Sequence, residues 1–319
     1  MKKYKTIDLF AGMGGIRIGF EKFNFETVYS NDFDQYCKIT YDENFISSKL
    51  HVEDITKVPL NEIPDFDFML GGFPCQPFSV AGYRKGFNDE KGRGNVFFHI
   101  SNILEHKKPL GFMLENVKNL ESHDKGNTFK VIRKILVDLG YHVKYKVLNT
   151  MEYGNIPQNR ERIYIVGFKE RKITDAFKFP KPIKLNKKIS ELLEINVDKK
   201  YYYNGKSLFD RIKDHVLKED TAYQWRRKYV RENKKGVCPT LTANMGMGGH
   251  NVPIIRQGDV IRKLTPRECA RFQGYPDEYL LPKTISDARL YKQIGNSVSI
   301  PVIERIAKEI DIALKSAFL

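Results

Sequence analysis

Short apolar runs alternate with helical patterns through the first half of the chain, and this alternation limits the folds open to it. Each run is typical of a buried strand, and the segments between runs repeat apolar residues at the helical period. Strands that alternate with helices predict a doubly wound, Rossmann-like α/β fold with a mixed, mostly parallel sheet. The predicted strands are Lys5–Phe10, Glu26–Ser30, Lys49–Val52, Phe66–Leu70, Gly111–Glu115, Tyr141–Leu148 and Arg162–Gly167, and the predicted helices include Ile16–Phe23, Phe33–Asn44, Asn95–His106 and Thr128–Leu139.

The alternation stops near Pro180, and the sequence that follows is rich in Lys, Asn and Tyr, with irregularly spaced glycines. This composition predicts a smaller second domain over residues 181–293, made mostly of loops with few long elements. The last predicted helix, Ile300–Leu314, is amphipathic and has the apolar face needed to pack on the first sheet. The predicted first domain therefore comprises residues 1–180 and 294–319.

The chain of 319 residues carries 54 Lys and Arg against 39 Asp and Glu, a net charge of +15 that favours a polyanionic partner. The segment Lys199–Lys235 holds twelve of the basic residues and five acidic ones, with aromatic side chains interleaved. Basic and aromatic residues together suit phosphate contact and base stacking. A solvated helix with a local aromatic core accounts for the same pattern, so both interpretations stay open.

The sequence has no apolar stretch near the ~20 residues of a membrane span. Its basic N-terminus is not followed by the long apolar region of a secretion signal. The four cysteines are far apart and form no CxxC pair, which argues against a disulfide framework or a metal site. We therefore expect a reduced, cytoplasmic protein without a membrane or metal partner.

A glycine-rich turn follows the first predicted strand, in the run from Asp8 to Gly15. Such a strand-to-helix turn lets a ligand approach the backbone closely. Asp32 lies 20 positions after Gly12, at the end of the second strand, where an acidic side chain can accept hydrogen bonds from ribose hydroxyls. The pattern fits any adenosine-containing cofactor. Its glycine spacing departs from GxGxxG, which disfavours an NAD-linked oxidoreductase.

Two reactive side chains stand at predicted strand ends. Cys75 follows the fourth strand in the run GGFPCQPFS, where Pro74 fixes the backbone and two glycines allow a sharp bend. Glu115 lies at the end of the fifth strand. A thiol at the rim of a sheet is a candidate nucleophile, and a carboxyl group is a candidate proton-transfer partner. Most free cysteines are instead buried as small apolar side chains, so Cys75 alone does not decide between these roles.

Six motifs occur in order along most of the chain outside about residues 181–237. They are DLFAGMGG, GGFPCQPFS, ENV at Glu115–Val117, QNRERIYIVGF at Gln158–Phe168, RKLTPRECARFQGYP at Arg262–Pro276 and GNSVSIP at Gly295–Pro301. Together these motifs strongly resemble those of the DNA (cytosine-5)-methyltransferases, in particular the bacterial type II enzymes of restriction-modification systems. The ordered occurrence of all six favours a catalytic role for Cys75.

The resemblance implies S-adenosylmethionine as the methyl donor, bound at the glycine-rich turn. The turn would wrap the methionine part, Asp32 would hold the ribose and Phe33 would stack on adenine, with Asp54 at its edge. The last motif would close the pocket from the C-terminal end, and it would also serve as the turn that caps the last helix. The residues assigned to this pocket by resemblance are Phe10, Gly12, Gly14, Gly15, Asp32, Phe33, Asp54, Ile55, Pro74, Asn296, Ser297 and Val298.

The resemblance also implies the chemistry. The Cys75 thiolate would add to carbon 6 of a cytosine, so that carbon 5 can attack the methyl group. Glu115 would bind ring N3 and the exocyclic amine, Arg162 would hold the cytosine O2, and Arg160 would support the pocket. The base that removes the C5 proton is not evident from the sequence.

The target cytosine must leave the duplex for this reaction, and the segment after Cys75 suits that step. It contains glycines as flexible points and basic side chains for phosphates, which predicts a loop that closes over the flipped base. A surface loop without a catalytic role is the alternative. The DNA contacts predicted in this segment are Gln76, Ser79, Arg84, Lys85 and Arg93.

The resemblance places a variable target-recognition region between Gly167 and Arg262. Within it, a Thr-Leu pair resembles one common in the family and would position the emptied strand. Since arginine pairs well with guanine, the basic residues of this region favour a site that contains G and C. The DNA contacts predicted here are Arg226, Arg227, Arg231, Thr240 and Leu241.

The leading hypothesis is a sequence-specific methyltransferase that acts on duplex DNA as a monomer, with a restriction endonuclease as its genetic companion. A transfer-RNA cytosine-5 methyltransferase is the alternative, but the Cys-Phe-Thr signature of such relatives is absent from the sequence. A DNA-binding protein without catalysis would require a damaged motif, whereas Cys75, Glu115 and Arg162 are all present.

Overall fold

The computed structural model describes residues 3–74, 96–247 and 251–317. The first half of the chain alternates strands and helices much as its apolar pattern predicts, because strands covered on both faces need near-continuous apolar runs. In chain order, its elements are β1 (Tyr4–Leu9), α1 (Gly15–Glu21), β2 (Phe25–Asp32), α2 (Gln35–Asn44), β3 (Leu50–Val52), β4 (Phe68–Gly72), α3 (Val96–Lys107), β5 (Gly111–Val117), α4 (Asn127–Asp138), β6 (His142–Asn149), α5 (Thr150–Tyr153), β7 (Gln158–Asn159), β8 (Glu161–Phe168) and α6 (Arg171–Ala176).

The second half consists of shorter elements and ends in a long helix. They are α7 (Phe209–Ile212), β9 (Tyr223–Trp225), β10 (Val230–Glu232), β11 (Cys238–Pro239), β12 (Ile254–Gln257), β13 (Val260–Lys263), α8 (Pro266–Gln273), α9 (Asp287–Asn296) and α10 (Ile300–Ser316). Within the described ranges, every helix is too short or too polar to cross a lipid bilayer.

The chain divides into two compact units. The first contains the residues up to Leu148, the segment Glu161–Pro180 and the residues from Ile303 onward. The second contains Asn149–Arg160 and Lys181–Val302. The domain boundaries predicted from composition remain a prediction.

A seven-stranded sheet forms the centre of the first unit, in the order β3-β2-β1-β4-β5-β8-β6. The pairs that β1 to β5 form with one another are parallel, and β8 runs antiparallel to β5. The strand order reverses between β1 and β4. In open α/β sheets, ligands bind at such a reversal, outside the carboxyl ends of the strands.

Helices cover both faces of this sheet. Met69 of β4 packs in one apolar cluster with α3 and α4, whereas the ring of Phe68 lies 6.1 Å from that of Phe20 in α1. Successive strand residues point to opposite faces, so the two clusters lie on different sides. On the α1 side, a Cβ at Gly19 would be 2.5 Å from Ile303 of α10. The predicted doubly wound α/β fold with a mixed, mostly parallel sheet is confirmed.

The second unit contains a four-stranded antiparallel sheet in the order β10-β9-β12-β13. Tyr223, Ile254 and Ile261 of this sheet pack in one apolar cluster with α7. The sequence predicts mostly loops in this region. Strands of three or four residues are too short to give a clear alternation, which is why the pattern does not reveal the sheet.

Candidate active site and recognition cleft

The turn after β1 adopts a left-handed conformation that favours glycine. Gly12 and Gly14 have φ angles of 54° and 74°, and the Gly12 N–H donates to Asp32 Oδ2 over 2.9 Å. A Cβ on Gly14 would lie 2.4 Å from the Phe45 ring, so this position excludes larger residues. Among the described residues, a Cβ on Gly12 would meet no atom within 4 Å. The turn is therefore closely packed at Gly14, whereas at Gly12 no described atom blocks the approach of a ligand.

Asp32 lies at the end of β2, in contact with this turn. Its other carboxylate oxygen accepts from the Asp34 N–H over 2.9 Å. Burial raises the pKa of Asp32, although hydrogen bonds from backbone N–H groups oppose that shift. The side chain of Phe33 is 70% exposed, so its ring is available to stack on a ligand. Ile55 is buried, whereas Asp54 is exposed. A carboxylate, an exposed ring and an open glycine turn together fit an adenosine group.

A buried charged network lies beneath the turn. Arg17 of α1 donates to the Tyr41 hydroxyl over 3.0 Å and to Glu21 over 2.9 Å. Its guanidinium lies 4.3 Å from the centroid of the Phe45 ring, which contacts the glycine turn. Burial raises the pKa of Asp8 in β1 to about 7, and the charge of Arg17 opposes this rise. The network fixes the ring that supports the turn.

The ends of β4 and β5 place a carboxylate beside the segment that leads to Cys75. Gly72 and Glu115 are register partners in the two strands. Asn116 Nδ2 donates to the carbonyl of Phe73 over 2.9 Å in a buried contact. Parallel pairing and this hydrogen bond therefore hold the chain just before Cys75 against the strand that carries Glu115.

Arg162 of β8 forms an ion pair with Glu115. Arg162 Nε lies 3.0 Å from Glu115 Oε1, and both side chains are at least 86% buried, with exposed fractions of 14% and 9%. In the described part of the chain, Glu115 Oε1 has no hydrogen-bond partner. The ion pair offsets the charge of this oxygen, but its unused capacity to accept a hydrogen bond calls for an explanation such as a catalytic role. The structure thus brings two predicted catalytic residues together and leaves them able to bind a polar group.

Several predicted site residues lie outside the described ranges, and their roles stay predictions. They are the nucleophile Cys75 and the DNA contacts Gln76, Ser79, Arg84, Lys85 and Arg93.

In the second unit, the first three residues of the motif QNRER hold the predicted Thr-Leu pair. Gln158 Oε1 accepts from the Leu241 N–H over 3.1 Å, and Arg160 Nη1 donates to the Leu241 carbonyl over 2.8 Å. Thr240 Oγ1 donates to the Asn159 carbonyl over 2.6 Å. Gln158 and Arg160 are buried, so their polar atoms fix the backbone at Leu241. Sequence reasoning did not single out Gln158, although its place in the same motif as Arg160 was a usable signal.

The motif GNSVSIP begins at the end of α9. The Ser297 and Tyr275 hydroxyls lie 2.6 Å apart, and Arg160 donates to the Ser297 carbonyl. The predicted cofactor residues Asn296, Ser297 and Val298 all belong to the second unit. Their place in the cofactor pocket stays a prediction.

Two glycines let the 3₁₀ turn Ala243–Gly246 touch α9 along its backbone. A Cβ on Gly295 would lie 2.2 Å from the carbonyl carbon of Thr242, and one on Gly246 would lie 2.1 Å from the carbonyl oxygen of Ala288. Real Cβ atoms do not approach backbone atoms so closely, so both positions require glycine.

A cleft of about 820 Å³ opens in the second unit, between the β9–β10 hairpin and the segment that follows it. Four cationic side chains and one carboxylate line the cleft, which favours a polyanionic ligand. Of the predicted DNA contacts, the cleft is lined by Arg226, Arg231 and Thr240, but not by Arg227 or Leu241.

Comparisons with known proteins agree with the motif pattern. A model of the family described as C-5 cytosine-specific DNA methylase matches residues 4–311. The type II methyltransferase M.Bsp6I of Bacillus sp. (strain RFL6) is 53% identical over 307 residues, which cover 95% of this chain and 96% of that protein. The type II methyltransferase M.HaeII of Haemophilus aegyptius is 44% identical over 311 residues, which cover 96% of this chain and 92% of that protein.

Among solved structures, the Dnmt2 methyltransferase of S. pombe superposes with a TM-score of 0.76. The match covers 99% of this chain and 100% of that one, at 21% sequence identity. At this level of identity, the similarity supports the fold.

Proposed function

Because the chain belongs to the C-5 cytosine-specific DNA methylase family and is a type II DNA (cytosine-5-)-methyltransferase, we propose that it methylates a cytosine flipped out of duplex DNA through a covalent Cys75 adduct. The observation that carries this mechanism is the buried Glu115–Arg162 pair. It lies beside the strand end from which the chain continues to Cys75.

S-adenosylmethionine is the proposed methyl donor, and it supplies an electrophilic methyl group when bound. The residues present fit its adenosine part. Asp32 can accept hydrogen bonds from ribose hydroxyls, Phe33 offers an exposed ring for the adenine, and no described atom blocks the space beside Gly12. In this proposal Phe10, Gly14, Gly15, Asp54, Ile55, Pro74 and the residues Asn296, Ser297 and Val298 complete the pocket.

The proposed reaction begins with addition of the Cys75 thiolate to carbon 6 of the cytosine. Glu115 hydrogen-bonds ring N3 and the exocyclic amine, which offsets the charge that develops in the ring. Arg162 binds the cytosine O2 and keeps Glu115 in place. Carbon 5 then takes the methyl group and loses its proton, and elimination of the thiol restores the aromatic ring.

DNA binding is assigned to both units in this proposal. Gln158 and Arg160 position the backbone of Leu241, which with Thr240 would help to position the emptied strand. Flipping costs a few kcal/mol that protein contacts must offset. The cationic cleft supplies such contacts, and Gln76, Ser79, Arg84, Lys85 and Arg93 are the further DNA contacts of this proposal. A cytoplasmic location, a monomeric state and a companion restriction endonuclease are parts of the same proposal.

Trapping with 5-fluorocytosine tests the mechanism directly. Fluorine at carbon 5 cannot leave as a proton, so the thiol adduct of a methylated ring persists as a stable protein–DNA complex. We expect the protein, with S-adenosylmethionine, to be trapped on a randomised duplex that contains 5-fluorocytosine. Cys75→Ala should abolish trapping, and Glu115→Gln should slow it by about a hundredfold or more.

Cys37→Ala is a matched control, since Cys37 is a buried cysteine that packs in an apolar cluster. It should keep full trapping. Trapping by the Cys75→Ala variant would refute the assigned nucleophile. Methylation of transfer RNA in preference to duplex DNA would refute the assigned substrate.

A further inference from the structure

A polar cross-strand pair of the β9–β10 hairpin lines the cleft. Gln224 and Arg231 are register partners in this antiparallel pair, so their side chains lie on the same face. Their neighbours Tyr223, Trp225 and Val230 belong to the apolar cluster of the second unit or pack against it. Because side chains alternate along a strand, Gln224 and Arg231 face away from that cluster. Both side chains line the cleft.

The amide of Gln224 is oriented by a neighbouring guanidinium. Arg226 Nη2 donates to Gln224 Oε1 over 3.3 Å. An arginine side chain has only donors, so the atom that it contacts must be the amide oxygen. This oxygen therefore already accepts a hydrogen bond from Arg226, and the amide NH₂ of Gln224 is the group that can donate to a ligand.

Arg231 adds further donors on the same face. It is exposed, and within the described part of the chain its guanidinium makes neither an ion pair nor a hydrogen bond. Among the described residues that line the cleft, only Glu232 carries a carboxylate, and it forms an ion pair with Lys218 at 2.8 Å. The hairpin therefore offers hydrogen-bond donors with few competing acceptors.

Guanine is the base whose major-groove edge matches this arrangement. It presents two acceptors, N7 and O6, whereas adenine and cytosine each present an amino donor, and thymine presents one acceptor beside a methyl group. We propose that Gln224 and Arg231 are specificity-determining residues that read guanine in the major groove of the recognition site, with Arg226 as the residue that orients Gln224. This inference rests on the proposed action on duplex DNA.

The same cleft contains cations that suit phosphate contact. Lys234 and Lys235 line it, and a lysine ammonium binds phosphate as a point charge without base selectivity. Arg231 as a phosphate contact would behave like these lysines, so the charge-preserving substitution Arg231→Lys separates the two roles.

The first experiment measures how methylation depends on the bases around the target cytosine. A duplex library with random bases around one cytosine is methylated and read by bisulfite sequencing. We expect the unaltered protein to require guanine at one or more positions. Arg231→Lys should lower that preference by about tenfold at one position, and Gln224→Leu should do the same for a guanine that it contacts. Arg227→Lys, a matched change in the same hairpin turn but outside the cleft, should keep the guanine preference.

A second experiment uses altered DNA with the unaltered protein. Replacing the preferred guanine by 7-deazaguanine removes only the N7 acceptor, so methylation should fall by about fivefold or more, and the Arg231→Lys variant should be insensitive to the change. The proposal is overturned if Arg231→Lys keeps the guanine preference, or if it lowers methylation equally in every context. Absence of methylation by the unaltered protein on any duplex would overturn the proposed function as well.

Discussion

The ion pair between Arg262 and Glu268 gives a quantitative test of how the second unit is held together. The two side chains are 1% and 0% exposed, and they form a bidentate contact with N···O distances of 2.8 and 2.6 Å. Glu268 also closes a capping box with Thr265 at the start of α8, and one of its oxygens accepts from the Glu194 N–H over 2.8 Å. Thus Glu268 joins Arg262, the helix cap and a distant loop.

We predict that Glu268→Gln destabilises the protein by about 3–5 kcal/mol, because it leaves the Arg262 charge buried without a counter-ion. The double variant Arg262→Met, Glu268→Gln should cost much less than the sum of its single changes, since it removes both charges. The partly exposed ion pair between Arg271 of the same helix and Asp277, which follows that helix, is the matched control. Its exposed fractions are 22% and 65%, and Asp277→Asn should cost no more than about 1 kcal/mol.

Urea unfolding measures these differences. Trp225 is the single tryptophan of the chain and lies in β9 of the second unit, so its fluorescence follows the unit that contains the ion pair. At an unchanged slope, the shift in midpoint reports the change in the free energy of unfolding. The reasoning would be refuted if the double variant lost as much free energy of unfolding as the two single variants together. It would also be refuted if Glu268→Gln shifted the midpoint as little as Asp277→Asn.

Two further predictions concern the first unit. Burial raises the pKa of Asp8 from 3.8 to about 7, so the folded state binds a proton more tightly and the free energy of unfolding should fall as the pH rises from about 4 to about 7. Asp8→Asn should remove this loss, by at most about 4 kcal/mol. Circular dichroism melts should therefore show a stabilisation of the variant relative to the unaltered protein that is larger near pH 8 than near pH 5. Asp32→Ala should weaken S-adenosylmethionine binding by about tenfold or more in titration calorimetry, from the loss of the ribose acceptor and of the Gly12 contact; unchanged affinity would refute the assigned pocket.

The sequence predicts the sheet well where burial alone decides the pattern. The run that ends at Leu70 is apolar and therefore predicts β4, but the strand continues through Gly71 and Gly72. Two adjacent glycines indicate a turn in a sequence. In the structure they continue the strand because they pair with Leu114 and Glu115 of β5. The end of the strand is thus set by a partner 43 positions away, which no local pattern contains.

Site residues also differ in how far the sequence alone predicts their roles. Asp32 can be predicted because its role follows from a fixed distance to a glycine turn. The roles of Gln158 and Gln224 are harder to predict, since each side chain acts through a particular partner. Gln158 binds Leu241, 83 positions along the chain, and Gln224 depends on strand register and on Arg226. A glutamine in a short strand has no distinctive spacing, so its function becomes visible only with the fold.

The glycine contacts of α9 have a mechanical consequence. With no side chain between Gly246 and Ala288, or between Gly295 and Thr242, the two backbones have no room to slide past one another. The turn and the helix should therefore move as a single rigid body when the protein binds DNA. Exchange of amide hydrogens in the turn should then be as slow as in α9, and faster exchange in the turn alone would show that it moves independently.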